Sequence, residues 1–307
     1  MIKARRLGKC YGGQAWALRD LDLVIERGDM FGLIGPNGAG KTTFIKILAT
    51  LLEPTEGSAM VADLSVARNA LAVRRRIGYL PDSFGVYEEM KVLEYLEFFA
   101  ASYGLRNPQR NQIVDGVLQL TDLGGKRDEL IRALSRGMQQ RLGLARVLVH
   151  DPDVLLLDEP ASGLDPRARI EIRALLKELR RMGKTILISS HILADIADLC
   201  NKIGLIEKGR LLYAGAVDDA IARVRGAELW LVEVADEMER AAEVLKREPG
   251  VESVASRNGQ LVVTVNGADP VEIPRALLRE GLRLRGFRRE DVSLEEAFLR
   301  LTKGEVS

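Results

Sequence analysis

The chain has 307 residues, 47% of them apolar, enough for one large domain plus a smaller one, which excludes a disordered or fibrous chain. Forty-five Lys and Arg against 44 Asp and Glu leave a formal net charge of +1, so no global field draws the protein onto nucleic acid or anionic lipid. Cys10 and Cys200 lie far apart and outside any CxxC or Cys/His cluster; a disulfide framework or zinc site is not expected, and a reducing cytoplasm fits best.

The start, "MIKARRLGKCYGG", is basic without an apolar signal region, and no run approaches the roughly 18 apolar residues that span a bilayer; membrane association is expected only through a partner. From "LDLVIERGDMFGLIGPNGAGKTTFIKILATLLEP" onward, short β-rich runs alternate with helical stretches, which predicts an α/β domain with a largely parallel sheet. "MFGLIG" reads as a buried strand and "KTTFIKILATLL" as the helix after it, stopping before Pro54. Between about 86 and 150 the pattern is all-helical, with "MKVLEYLEFFAASYGL" followed by "PQRNQIVDGVLQLTDL", the latter opened by Asn107 and Pro108.

The third helix of that insert, "ALSRGMQQRLGLARVL", has an apolar face at Met138, Leu142, Ala145 and Leu148 but an odd beginning. Ser135 caps it, Gly137 weakens its first turn, and Met138 occupies the place where a capping box has Glu or Gln. "DVLLLDEP" and "KTILISSH" are two further strands around a helix marked by Asp165, Pro166 and Gly183, and "LIEKGRLLYAG" reads as a hairpin. After about residue 217 a β-α-β-β-α-β-α order predicts a small ferredoxin-like domain, whose last helix carries a capping box of Ser293 and Glu296. There is no internal repeat, low-complexity tract or heptad run.

"GPNGAGKT" sets Gly35, Gly40, Lys41 and Thr42 in the G-x-x-x-x-G-K-[ST] spacing between a strand and a helix. Its glycines permit a ring of backbone N–H groups around phosphate, Lys41 neutralises the outer phosphates, and Thr42 can ligate Mg²⁺. "VLLLDEP" ends a buried strand in Asp158 and Glu159, whose side chains point in different directions. That assigns Asp158 to Mg²⁺, directly or through water, and Glu159 to orienting and deprotonating an attacking water.

Together these motifs resemble the nucleotide-binding subunit of an ATP-binding-cassette (ABC) transporter over residues 1–217, with "GPNGAGKT" as Walker A, "VLLLDE" as Walker B and "SGLD" (Ser162 to Asp165) as the D-loop. The resemblance implies a P-loop NTPase (RecA-like) fold, ATP with Mg²⁺, and a binding loop of Gly35, Pro36, Asn37, Gly38, Ala39, Gly40, Lys41, Thr42 and Thr43. By the same resemblance His191 in "ISSHIL" senses the γ-phosphate and Tyr11 in "KCYGGQAWAL" stacks on adenine, with Trp16 the competing ring. Two motifs depart from the family: Asp82 stands where the Q-loop glutamine would reach the metal, and the signature LSGGQ reads "LSRGM", with Arg136 and Met138 replacing Gly and Gln.

That gives the odd helix start a use. A helix N-terminus with Gly137 is an anion site, and because the chain's own loop already surrounds the phosphates from another side, a head-to-tail dimer is expected. In it Ser135, Arg136, Gly137 and the D-loop Asp165 close over ATP held by a second copy or a related cassette. The tail "SLEEAFLRLTKG" resembles the drug-, lipid- and polysaccharide-export branch, which implies a peripheral subunit on the cytoplasmic face, a separate multi-span membrane partner and no nucleic acid. "SFGVYEEMKVLEYLEFF" is expected to form the partner's docking groove, and residues 218–307, which show no catalytic constellation, a dimerisation or regulatory domain. The competing readings are a soluble cassette ATPase on ribosomes or chromosomes, which would call for tandem cassettes, coiled coils or basic patches, and an ATP-sensing regulator, suggested by Asp82.

Overall fold

In the computed structural model, which describes residues 1–289 apart from 193–195, 197, 225–227, 258 and 267–268, the chain opens on strands β1 (Ile2–Tyr11) and β2 (Ala15–Ile25). There follow β3 (Met30–Ile34), helix α1 (Lys41–Leu48), β4 (Glu56–Val61), β5 (Leu64–Ser65), α2 (Ala70–Arg76) and β6 (Ile77–Leu80). The helical stretch holds α3 (Val92–Ser102), α4 (Gln109–Leu120) and α5 (Arg136–Leu148). Then come β7 (Val154–Asp158), α6 (Pro166–Arg181), β8 (Thr185–Ser190), β9 (Lys202–Glu207) and β10 (Arg210–Ala216). The capping box at Ser293 and Glu296, with its helix, lies outside the described residues.

Two sheets make this first compact unit, Met1–Val217. One has the order β10-β9-β3-β8-β7-β6 and is parallel except for the β9–β10 hairpin. Every residue of β3, β7 and β8 is buried, as it must be when both faces of a parallel sheet are covered, and this is why those runs are continuously apolar. The other sheet, β2-β1-β4-β5, is wholly antiparallel. It was not legible in the sequence, because β1 and β2 carry bulged registers that break the simple alternation of inward and outward residues. Ile2, Leu7, Leu18, Leu21 and Ile25 bury its inner face against Phe44 and Ile45 of α1, so both sheets share one core.

Two helix ends differ from expectation. α1 stops at Leu48, four residues early, because Thr50 takes a left-handed backbone (φ 61°) and Leu51 N–H turns back to Lys46 O at 2.9 Å. α4 begins after Pro108 rather than on it, and the Asn107–Pro108 peptide is cis. The other compact unit, Asp218–Ser307, contains β11 (Glu228–Val234), a helix Met238–Lys246, β12 (Val251–Arg257), β13 (Gln260–Val265), a helix Glu272–Arg279 and β14 (Leu284–Arg289). Its sheet is antiparallel with the order β12-β13-β11-β14, and Val232, Leu261, Val263, Ala241 and Leu277 form its core. No helix among the described residues is long and apolar enough to cross a membrane.

The end of the parallel sheet where β3 begins is fastened by a buried carboxylate. Asp29 accepts hydrogen bonds from Glu26 N–H, Asn201 Nδ2 and Lys202 Nζ, each at 2.9 Å, while Asn201 Oδ1 accepts from Met30 N–H at 2.8 Å. Burial alone would raise the Asp29 pKa, but Lys202, Asn201 and the backbone donor outweigh it and hold it below 3.8. A depressed carboxylate stabilises the fold above its unfolded value and loses that contribution as pH falls through the folded pKa. Asp29→Asn is therefore expected to cost about 2 kcal/mol at neutral pH. In urea titrations the gap between variant and native protein should close as pH drops below 3.8.

Candidate active site

Register gathers the site. Parallel pairing sets Ile34 beside Ser190, Asp158 beside Ser189 and Leu80 beside Leu157, so the chain leaves β3, β7, β8 and β6 along one edge of the sheet. The residues next in sequence are Gly35, Glu159 and His191, with Asp82 two beyond Leu80.

A cavity of about 230 Å³ at that edge is lined by Asn37, Gly38, Ala39, Gly40, Lys41, Thr42 and Thr43, joined by Ala17, Asp82 and Glu159. Gly40 is the hinge of the loop: its φ of 109° is open only to glycine, and a Cβ there would lie 2.4 Å from Ala17 O. This turn aims the free N–H groups of α1, which has no acid in its first turn, into the cavity. Lys41 is 6% exposed, and its Nζ donates to Gly35 O at 2.6 Å and to Pro36 O at 3.3 Å. Such a nest of backbone donors around one buried ammonium is built for phosphate.

Glu159 stands across from it. One carboxylate oxygen lies 3.6 Å from Lys41 Nζ, and the other 2.8 Å from His191 Nδ1. Its backbone is left-handed (φ 51°), an unfavourable state for glutamate, held by its N–H donating to Ser189 O at 3.2 Å and Ser189 Oγ at 3.0 Å. Ser189 Oγ in turn donates to Asp158 Oδ1 at 2.5 Å. Asp158 is 1% exposed and does not line the cavity, whereas Thr42 and Asp82 do. Its charge, after burial itself, helps push the Tyr79 phenol up to about 12, so that ring stays a neutral neighbour.

No group of three or more His, Cys, Asp or Glu side chains fit to hold a metal occurs among the described residues. The donors present, a hydroxyl and carboxylates beside a phosphate-shaped loop, suit Mg²⁺, which keeps waters and takes one or two protein oxygens plus phosphate oxygens.

The remaining expected residues sit apart from the cavity. Tyr11, at the end of β1, is 45% exposed with Lys9 Nζ 5.5 Å from its ring centre, while Trp16 is packed on Gly8. Ser135, Arg136, Gly137 and Asp165 form a second cluster, where α5 and α6 begin side by side. Ser135 Oγ accepts from Met138 N–H at 3.3 Å, and Asp165 Oδ1 from Ala168 N–H at 3.0 Å, each the expected cap. Gly137 has a reason beyond the expected one, because a Cβ on it would lie 2.8 Å from the Ala168 methyl; glycine is what lets the two helices meet.

Sequence reasoning passed over Ser189, read as part of a strand, although a hydroxyl beside a strand-terminal acid is a signal that pairing makes visible. It also passed over Gly143, against which the Phe84 ring packs, with Arg146 5.1 Å above that ring. Glycine inside a helix was the available clue.

The ABC transporter family profile matches residues 18–162. The Nod factor export ATP-binding protein I of Cupriavidus metallidurans is 35% identical over all of this chain and 98% of its own length. The ABC transporter ATP-binding protein NatA of Bacillus subtilis is 38% identical over 69% of this chain and 87% of its own. Among solved structures, a dimeric ATP-binding cassette in a post-hydrolysis state bound to ADP and Pi has a TM-score of 0.63 at 26% identity, covering 70% of this chain and 98% of that one.

Gly137→Ala is expected to lower stability by about 1 to 2 kcal/mol through overpacking, and Ala168→Gly in the same chain to restore part of it. Thermal melts of the single and double variants check this, with nucleotide binding by the monomer expected to stay unchanged.

Proposed function

The chain belongs to the ABC transporter family as an ATP-binding, ATP-hydrolysing subunit, and from that premise we propose how its residues divide the work. Two copies, or one copy and a related cassette, bind head to tail with ATP between them. The loop from Gly35 to Thr43 and the ammonium of Lys41 hold the phosphates of each ATP, and the exposed ring of Tyr11 stacks on its base. Ser135, Arg136, Gly137 and Asp165 of the opposite copy close over the same nucleotide; their separation from the cavity within one chain supports this.

The observation that carries the chemistry is Glu159, held at the cavity between Lys41 and His191. Its carboxylate orients the attacking water and accepts its proton, and His191 keeps that carboxylate aimed and contacts the γ-phosphate. Mg²⁺, when bound, neutralises charge on the phosphates. Thr42 and Asp82, at the cavity wall, would hold it, with buried Asp158 behind them meeting it directly or through water. ATP favours the closed pair and ADP does not, so the cycle of closing and opening drives a membrane partner.

The partner is a separate multi-span protein, with this subunit on its cytoplasmic face, and the direction is export, in keeping with the names of the relatives. A nucleic-acid surface is not part of this reading. For docking we assign the groove of about 270 Å³ beside α3, lined by Ala49, Leu51, Arg74, Tyr79, Phe99 and Arg146 among others. Of the segment's aromatics, Tyr95 is fully buried, while Tyr87 and Phe98 are more than half exposed in edge-on contact 6.1 Å apart. Arg74 donates to Thr50 and Arg146 to the Tyr95 hydroxyl, neither to a carboxylate among the described residues, which favours an acidic partner segment. Residues 218–307 form an accessory unit, ferredoxin-like by the strand order β12-β13-β11-β14, for dimerisation or regulation.

Glu159→Gln is expected to lower the turnover of ATP by about 10²-fold or more while ATP and Mg²⁺ shift the protein to a dimer on size-exclusion chromatography with light scattering. A monomer under those conditions, or normal turnover, would overturn the assignment. Replacing Leu51 and Phe99, which line the groove, together by Ala is expected to reduce the membrane protein that copurifies from detergent-solubilised membranes, as judged by quantitative mass spectrometry.

A further inference from the structure

Arg136 stands where the helix calls for an acid. It is the first residue of α5, whose first turn carries no carboxylate, and a cation there opposes the positive end of the helix dipole. Its guanidinium meets no carboxylate within ion-pair distance among the described residues. It lies instead over Gly163, in the loop that precedes α6. A Cβ built on Gly163 would be 2.5 Å from Nη2, 2.7 Å from Cζ and 2.8 Å from Nη1. Near-equal distances mean that the flat fork faces the loop broadside, in space that only a glycine leaves open; the backbone there is left-handed as well (φ 64°).

One other contact joins the two segments, that of Ala168 with Gly137, and two more fasten the loop to α6 itself. Asp165 caps α6 through Ala168 N–H, the Ala168 methyl fills the hollow beside Gly137, and Arg169 Nε donates to Leu164 O at 3.1 Å. Arg136 thus bridges the one stretch, Ser162 to Leu164, that these contacts leave otherwise loose from α5.

We propose that Arg136 is a positioning residue whose guanidinium clamps the Ser162–Asp165 loop to the start of α5, so that both segments close on the partner copy's nucleotide as one rigid body. The inference rests on the head-to-tail dimer proposed above. A fork that binds phosphate alone loses by lysine too but is indifferent to residue 163, whereas a clamp that works by shape tolerates neither lysine at 136 nor a side chain at 163. Because the loop is set when the dimer closes, losing the clamp slows the step after binding and leaves nucleotide capture by the monomer as it was.

The test is a double-mutant cycle in the full-length chain, with kcat and KM for ATP, melting temperature and hydrogen exchange as readouts. Arg136→Lys and Arg136→Gly are expected to lower kcat alike, by about fivefold or more, with KM within about twofold of native. In both, amides of Ser162 to Leu164 should exchange faster while those of α1 do not. Gly163→Ala should lower kcat by about fivefold more in the native background than beside Arg136→Gly, since the left-handed backbone cost is common to both and cancels. Full kcat in Arg136→Lys, or additive effects of Gly163→Ala, would overturn the clamp. If Gly163→Ala does not fold, amide exchange of Ser162 to Leu164 in the nucleotide-free Arg136→Lys monomer decides, and native protection there would overturn the clamp. Glu159→Gln separates the two readings: failure to dimerise on ATP rejects the dimer itself, whereas dimerisation together with an additive cycle rejects only the clamp.

Discussion

The in-register pairing of three buried parallel strands is the constraint on which the rest depends. Strands β3, β7 and β8 hold no exposed residue, so a slip of one position would turn every side chain over and bury the loops' polar groups with nothing to meet them. With the register fixed, Gly35, Glu159 and His191 have no freedom about where they emerge. Lys41, Glu159 and His191 then form a line of alternating donors and acceptors without any of them reaching for its partner. The geometry of this line is a by-product of apolar packing along the same strands.

How much of this was legible in the sequence follows from how local each signal is. The phosphate loop, the Asp158–Glu159 strand end and both caps at Ser135 and Asp165 are written in contiguous residues, and each stands where its spacing placed it. The antiparallel sheet of β1, β2, β4 and β5 is not contiguous, since β1 pairs with residues some fifty positions on and its bulges blur the alternation. Gly137 was read as an opening for phosphate because no sequence shows that Ala168 will lie against it. Ser189 joins Asp158 to the Glu159 backbone only after β7 and β8 have paired. What escaped the sequence, in each case, is a contact between segments whose meeting the sheet decides.

The same kind of contact ties the segment after Asp82 to the stretch that leads into α5. Residues 88–93 lie along 127–132, joined by Val92 N–H to Glu129 O, Ile131 N–H to Met90 O and Arg132 N–H to Glu88 O, with Arg132 also paired to Glu89 at 3.0 Å. Phe84, just past Asp82, packs on α5 at Gly143. Residues 84–93 are therefore joined to the α5 region twice, once through this backbone ladder and once through the ring.

The left-handed backbone at Glu159 has a consequence for inheritance. A left-handed residue that is not glycine carries a cost of about 1 kcal/mol or more, and glycine carries none. One base change turns either glutamate codon into a glycine codon. The genetic step that would relax this strand end is thus the step that removes the carboxylate between Lys41 and His191. On the role proposed for Glu159, selection for hydrolysis and selection for stability pull against each other at this codon.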